Sequence, residues 1–437
     1  KFSMERLYRE IEWFSKNKVT WVFGADANFG LFRRDKDIAQ ALGESKRETG
    51  YPAEFRVCFA KNSDNKVFDV ARVLHDANLS KGISLSMQSL NPQVLENIKR
   101  SNIKIDSFSN LQSRYFEEGM ATYTELIIGL PGESYESFVS GLDALLNSGQ
   151  HYQINIYNCT VMPNAEMGSA EYQEQHRIKV VEIPTFLAHS SRRKPDDRTV
   201  EVEPIVVSTA TMSIQDWRRI QHFSWAVLCF HLLGITQSLT VFLRNIYDID
   251  YSEFYKAIIG FGHDHPNSLI GQEISTLNNV LDNVLSGHGF DQYIHGFLDV
   301  TWPPEEASFL RFSEQIDSVY NEIAEVLNEL LINKSIHINE SLCLELLLYQ
   351  KSILVNFDRD SDVVLNLSYN FHEYIRGILT GKPIEFKKGR FVYQIIDRQT
   401  YPTENRKEHF AREVVWYGRK GGKFLCDVES GSPIPVH

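Results

Sequence analysis

Four short stretches of this sequence join residue types that bind small polar molecules, and each follows a β-rich run. The first is Gly24-Ala25-Asp26-Ala27-Asn28-Phe29-Gly30, which closes the run VTWVFG. Small residues let a backbone approach a ligand closely, and Asp26 and Asn28 offer a carboxylate and an amide to an ammonium or hydroxyl group. The second, Ser86-Met87-Gln88-Ser89, sets three polar side chains after GISLS. The third follows Gly129: Leu130-Pro131-Gly132-Glu133 is a tight turn opening a helix. The fourth, Val161-Met162-Pro163 after INIYNCT, is an apolar step suited to flanking a flat ring. Each has a plainer use alone, since Asp-x-Asn turns also cap helices and GLPGE is also simply a turn. Arg33-Arg34-Asp35 reads as a surface helix cap, or as support behind the first stretch. The recurrence of such groups at successive strand ends is what carries meaning.

The elements that must hold them alternate. Apolar spacing predicts helices over 1–16, 34–49, 67–78, 92–99, 107–119 and 135–147. Five β-branched or aromatic runs separate them, at 19–24, 54–60, 82–88, 122–129 and 153–161. Strands divided by helices imply right-handed crossovers and a parallel sheet. In a parallel α/β barrel, ligands bind at the carboxyl ends of the strands, where these four stretches fall. A first strand ahead of Lys1 would bring the total to six.

Residues 169–212 are polar and read as a connection, with one strand at 203–207. From Ser213 the chain turns helical. Ser213-Ile214-Gln215-Asp216 has a capping-box pattern, and an apolar-rich stretch runs on to about Asn245. Trp217, His222, Trp225 and His231 recur there at helical spacing and read as core, with the lining of a substrate pocket as the alternative. Further helices are expected at 251–261, 270–286, 304–332 and 340–356, and strands at 363–369, 383–396 and 411–429. Gly421-Gly422 reads as a hairpin turn inside the last strand run.

Composition bounds the function. The chain has 437 residues, 43% hydrophobic and 23% charged, as soluble multi-domain proteins do. A net charge of −12 argues against a nucleic-acid surface, leaving only the local SRRK stretch at 191–194. No apolar run is long enough for a membrane span, and the charged amino end lacks a signal pattern. The five cysteines, Cys58, Cys159, Cys229, Cys343 and Cys426, are scattered and form no CxxC cluster, which fits a reducing cytoplasm.

These residues together resemble the radical S-adenosylmethionine (SAM) superfamily, and more closely its cobalamin-dependent branch. ELIIGLPGESYESF resembles the fifth-strand segment of that barrel. GISLSMQSLNPQVLENIKRSNI is similar to the fourth, where a polar residue meets the SAM ribose. VFGADANFG stands where the family has a Gly-Gly-Glu motif for the SAM amino group, with Asp26 in place of Glu. VMPNAEM resembles the sixth-strand end beside adenine. TMSIQDWRRIQ, LDVTWPPEEASFLRF and EVVWYGRKGG are similar to the accessory domain of B12-binding members. The resemblance spans most of the chain.

It implies an α/β fold: a partial (β/α)6 TIM-like barrel over 1–168, its first strand missing or upstream. A connection over 169–212 and a mainly helical domain over 213–437, ending in a small β element, would follow. It implies SAM contacts at Asp26, Asn28, Ser86, Gln88, Gly129, Met162 and Pro163. The [4Fe–4S] cluster would sit on a CxxxCxxC loop upstream of Lys1, and so would a cobalamin domain. Within the chain no metal ligand is assigned, and Asp264-His265-Pro266 lacks the spacing of the DxHxxG cobalamin motif. The implied reaction cleaves SAM to a 5′-deoxyadenosyl radical and modifies, by methylation in this branch, a small-molecule substrate. A flavodoxin or ferredoxin would supply electrons. The alternatives are a radical SAM enzyme without cobalamin, and a cluster-less scaffold that catalyses nothing.

Overall fold

The computed structural model describes residues 2–60, 65–80, 82–102, 104–120, 122–192, 199–359, 362–399, 401–402, 404–418 and 426–431. It divides into two compact units. The first comprises Lys1–Gln88, Ser101–Leu126 and Tyr152–Asn155, and the second holds the rest.

The amino-terminal part runs α1 (Met4–Lys16), β1 (Trp21–Phe29), α2 (Arg33–Thr49), β2 (Glu54–Phe59), α3 (Asn65–Asp76) and β3 (Ile83–Ser84). Then come α4 (Pro92–Asn97), α5 (Ile105–Glu117), β4 (Thr122–Ile128), α6 (Tyr135–Asn147) and β5 (Gln153–Asn158). Local chemistry starts and stops these helices. Ser3 accepts from the Arg6 amide to cap α1, and Gly50 ends α2 in the left-handed region. In the first unit β1 and β2 pair in parallel, Trp21 opposite Glu54 through Gly24 opposite Val57. A Cβ on Gly24 would lie 3.0 Å from both Phe55 and Val57 side-chain atoms, so only glycine passes there freely. Beside them β3 and β4 pair in parallel, Ile83 opposite Thr122. Leu42, Phe55, Val70, Leu74, Phe108 and Tyr115 are among the buried residues that fill this unit.

The remaining elements belong to the second unit. They are α7 (Ala170–His176), β6 (Lys179–Pro184), β7 (Val202–Ser208), α8 (Ile214–Ala226), α9 (Gln237–Tyr247), α10 (Tyr251–Asp264) and α11 (Leu269–Leu285). After them follow α12 (Pro304–Ser313), α13 (Ile316–Asn333), α14 (Glu340–Ile353), β8 (Val363–Tyr369), α15 (Phe371–Leu379), β9 (Lys388–Asp397), α16 (Arg406–His409) and β10 (Cys426–Gly431). π-helical turns extend α8 over Val227–Leu232 and α16 over Phe410–Trp416. β6 and β7 pair antiparallel, and β10, β9 and β8 make an antiparallel sheet in that order. Trp217, Phe223, Phe230, Phe242, Phe254 and Phe309 are fully buried in the helical core.

Several expectations need correction. The parallel strands form one two-stranded piece, β1-β2, and one three-stranded piece, β3-β4-β5, rather than a single continuous sheet. The connection over 169–212 contains α7 and β6 as well as β7, because Val180, Val181 and Ile183 find partners across a ladder no local pattern announces. The long stretch to Asn245 breaks at 233–236, where Gly234 takes a positive φ of 92°. Residues 304–332 form two helices, not one. The strand expected from Ala411 is instead π-helical to Trp416, and α15 falls where the sequence reading assigns no element. The turn at Gly421-Gly422 and part of the SRRK stretch lie outside the described residues. Among the described residues no single helix is long and apolar enough to cross a membrane; one bent pair, Ile214–Leu232 with Gln237–Tyr247, passes on length and composition only.

Candidate functional site

In the first unit β4 alternates strictly: Thr122, Thr124 and Leu126 are buried on one face, and Tyr123 and Glu125 are half-buried on the other. Ser86 donates to Glu125 Oε2 at 2.6 Å, and the Ser84 and Ser86 hydroxyls lie 2.5 Å apart. The result is a polar stripe of two hydroxyls and one carboxylate on neighbouring strands. Thr124 donates to the Leu85 carbonyl at 2.8 Å, and the Gln88 amide donates to Glu125 O at 2.9 Å, which holds the strands in register. Gln88 is buried and takes a left-handed φ of 56°, turning the chain at the strand end. Sequence reasoning named Ser86 and Gln88 but missed Glu125. Its signal was a lone carboxylate inside an otherwise uncharged strand.

Asp26 and Asn28 sit in β1, in the stretch where the pairing with β2 is irregular between Gly24 and Phe29. Asp26 accepts from the Asn28 amide at 2.9 Å, a local turn that leaves Asn28 exposed and Asp26 half-buried. Asp35 is buried and accepts from the Gly30 and Phe32 amides at 2.9 and 3.0 Å, so it fastens the same loop to the start of α2. Arg34 instead donates to the Phe2 carbonyl.

Gly129, Met162 and Pro163 belong to the second unit. Gly129 has a φ of 95°, and a Cβ there would meet Val206 at 3.1 Å, so glycine is required on both counts. Behind it Leu130, Val94, Cys159, Val161 and Val206 form a buried cluster. Met162 and Pro163 are exposed, Met162 with 62% of its area. Glu133 does more than close a turn. Its buried carboxylate accepts from Ser89 at 2.5 Å and from Ser137, joining the loop after β3 to the start of α6. Burial pushes its pKa above the usual carboxylate value, against the hydrogen bonds from Ser137, Ser89 and Asn91 that pull it down. The seven sequence-named positions thus divide, Asp26, Asn28, Ser86 and Gln88 in one unit and Gly129, Met162 and Pro163 in the other.

No family model matches the chain. Over 271 residues, 62% of its length, it is 40% identical to the cobalamin-dependent radical SAM methyltransferase TokK of Streptomyces tokunonensis. Over 270 residues it is also 40% identical to the 2-(S-pantetheinyl)-carbapenam-3-carboxylate methyltransferase of Streptantibioticus cattleyicolor. Over these stretches the chain is similar to cobalamin-dependent radical SAM methyltransferases. It spans 39% of the length of each of these relatives. Among solved structures, the radical SAM methyltransferase TsrM of Kitasatospora setae, with cobalamin and a [4Fe–4S] cluster, aligns at TM-score 0.32 and 18% identity over 40% of this chain and 34% of that one. The radical SAM coproporphyrinogen III oxidase of Escherichia coli aligns at TM-score 0.30 and 18% identity, over 37% of each chain. Both likenesses are too slight to add to the fold described above.

Iron–sulfur clusters are held by cysteine thiolates. Of the cysteines here, Cys58 is exposed, Cys159 and Cys229 are buried, and Cys343 is half-buried. Burial pushes the Cys159 thiol up to about 12, and that of Cys229 well above its usual value. Among the described residues no group of three or more His, Cys, Asp or Glu side chains gathers for a metal ion. The cysteines described do not fit the cluster.

Proposed function

We propose that this chain supplies the SAM-binding strand ends and the accessory region of a cobalamin-dependent radical SAM enzyme that methylates a small molecule. The observation that carries this reading is the 40% identity, over 62% of the chain, to two methyltransferases. In that reading residues 1–168 are the body of a partial (β/α)6 barrel, 169–212 a connection and 213–437 an accessory domain. The strand-end groups suit SAM. Asp26 and Asn28 offer acceptors to its ammonium, while Ser86, Gln88 and Glu125 offer both donors and acceptors to ribose hydroxyls. In the second unit Gly129 leaves the backbone open at a strand end, and Met162 with Pro163 offers an apolar step suited to adenine. Bound SAM supplies a methyl group or, on reductive cleavage, a 5′-deoxyadenosyl radical. The protein's tasks are then to orient the ligand and exclude water. The [4Fe–4S] cluster and cobalamin would be held outside this chain's described residues, with a flavodoxin or ferredoxin as electron donor.

The test is anaerobic reconstitution of the full-length protein, followed by its visible spectrum and a SAM-cleavage assay. Cluster and corrin absorption together with formation of 5′-deoxyadenosine are expected, and a protein that binds iron but never cleaves SAM would overturn the reading. Glu125→Gln should raise the KM for SAM about tenfold with far-UV circular dichroism unchanged, the cost of one charge-assisted hydrogen bond. An unaltered KM would remove Glu125 from the site.

A further inference from the structure

The polar face of the first unit reaches one strand beyond the groups discussed so far. β4 passes to β5 through helix α6, the crossover that joins parallel neighbours. The Cys159 amide donates to the Ile128 carbonyl at 2.8 Å. In a parallel ladder that bond sets Ile128 opposite Asn158 and, three residues back on each strand, Glu125 opposite Asn155. On the other side of β4, Ser84 lies opposite Tyr123, and Ser86 reaches Glu125 two residues on. Ser86, Glu125 and Asn155 therefore make one row across three strands, all of it inside the first unit. Gln153 Nε2 donates to Asn155 Oδ1 at 3.4 Å, as side chains two apart on one face of a strand can.

The row is incomplete in its middle. Ser86 occupies Glu125 Oε2, but among the described residues nothing donates to Oε1, and Asn155 Nδ2 has no acceptor. Neighbouring strands lie about 5 Å apart, so the carboxylate and the amide stand side by side without bonding each other. Both are half-buried and open to solvent. Parallel sheets are ordinarily covered on both faces, so a half-open polar row on one calls for a covering group. That group must donate to the carboxylate and accept from the amide. Two adjacent hydroxyls do both, since each is a donor and an acceptor.

We propose that Asn155 is a specificity-determining residue: together with Glu125 it spans the vicinal diol of the SAM ribose, one hydroxyl to each side chain. The proposal rests on the SAM-binding reading above and adds a residue to it.

The test is calorimetric titration of the full-length, anaerobically reconstituted protein with S-adenosylhomocysteine and with its 2′,3′-dideoxy analogue. The unaltered protein should bind the parent compound about tenfold more tightly than the analogue. Asn155→Ala should lose about fivefold for the parent compound and nothing for the analogue, the cost of one neutral hydrogen bond. Asn155→Asp keeps the shape, removes the donor and sets a second carboxylate beside Glu125, so its loss should be larger. Unchanged affinity for the parent compound in Asn155→Ala, or an equal loss for both ligands, would overturn the proposal and leave the SAM reading standing. Equal affinity of the unaltered protein for the two ligands would overturn it whatever the variants do. A protein that binds neither ligand would overturn the SAM reading itself, and this proposal with it.

Discussion

At the scale of single residues, the candidate site depends on groups that do two jobs. Gly129 ends a strand and also lets Val206 pack against its backbone. Gly129→Ala would force a side chain into a left-handed backbone and against that valine. We expect a loss of about 2 kcal/mol or more, read as a lower urea midpoint at unchanged slope. Glu133 and Glu125 show two fates of a carboxylate near a strand end. The first is buried and binds loop to helix; the second stays half-buried with Ser86 on it. In the sequence both were visible as acids beside apolar runs. Which of them faces a ligand depends on strand register, and register sits in the pairing of residues far apart in the chain.

At the scale of elements, periodicity served where an element buries one face by itself. α6 is an example: Phe138, Leu142 and Leu145 recur on one side, and Ser134 caps the start. It failed where partners decide. The helical turn before Trp416 carries β-branched and aromatic residues that read as strand, and α15 falls where no element is expected, yet Phe371 and Phe410 are buried in aromatic contacts with Phe242 and with Phe309 and Phe357. Tertiary packing overrode local preference there. α11 and α12 are joined by a further device that no pattern foretells. Arg311 makes two 2.6 Å bonds to Glu273, Ser308 donates to the same carboxylate, and Trp225 donates to Ser308. Glu273→Ala would leave the guanidinium and the Ser308 hydroxyl without their partner. A cost of about 3 kcal/mol is expected in chemical denaturation. A change below about 1 kcal/mol would mean that water replaces the carboxylate.

At the scale of the whole molecule, the second unit carries a buried imidazole pair that links stability to pH. His151 Nδ1 and His231 Nε2 lie 3.0 Å apart, and His231 Nδ1 lies 2.7 Å from the Tyr255 hydroxyl. Burial pushes the His151 pKa down to about 4, and burial with His151 beside it holds His231 well below its usual value. A histidine with a folded pKa below its unfolded one takes up protons on unfolding. Its contribution is therefore complete above about pH 6.5 and is lost as pH falls toward 4, on the order of 3 kcal/mol for His151 alone. Denaturation midpoints at pH 7.5 and 4.5 should show this loss, and His151→Gln should shrink it. An equal loss in the variant would place the acid sensitivity elsewhere.

Short-range patterning was enough to set the alternation of helix and strand up to Asn158, the capping of α8 at Ser213 and the place of polar groups at strand ends. Each of these depends on residues a few positions apart. Tertiary structure alone decided that Glu125 joins Ser86, that Glu133 turns inward and that Asn155 falls beside Glu125. Each of these contacts joins groups from separate elements, or depends on which face of an element is covered. The reason is range: hydrogen-bond and burial partners 39 or 44 residues apart, as in Ser86–Glu125 and Ser89–Glu133, leave no periodic trace in the chain.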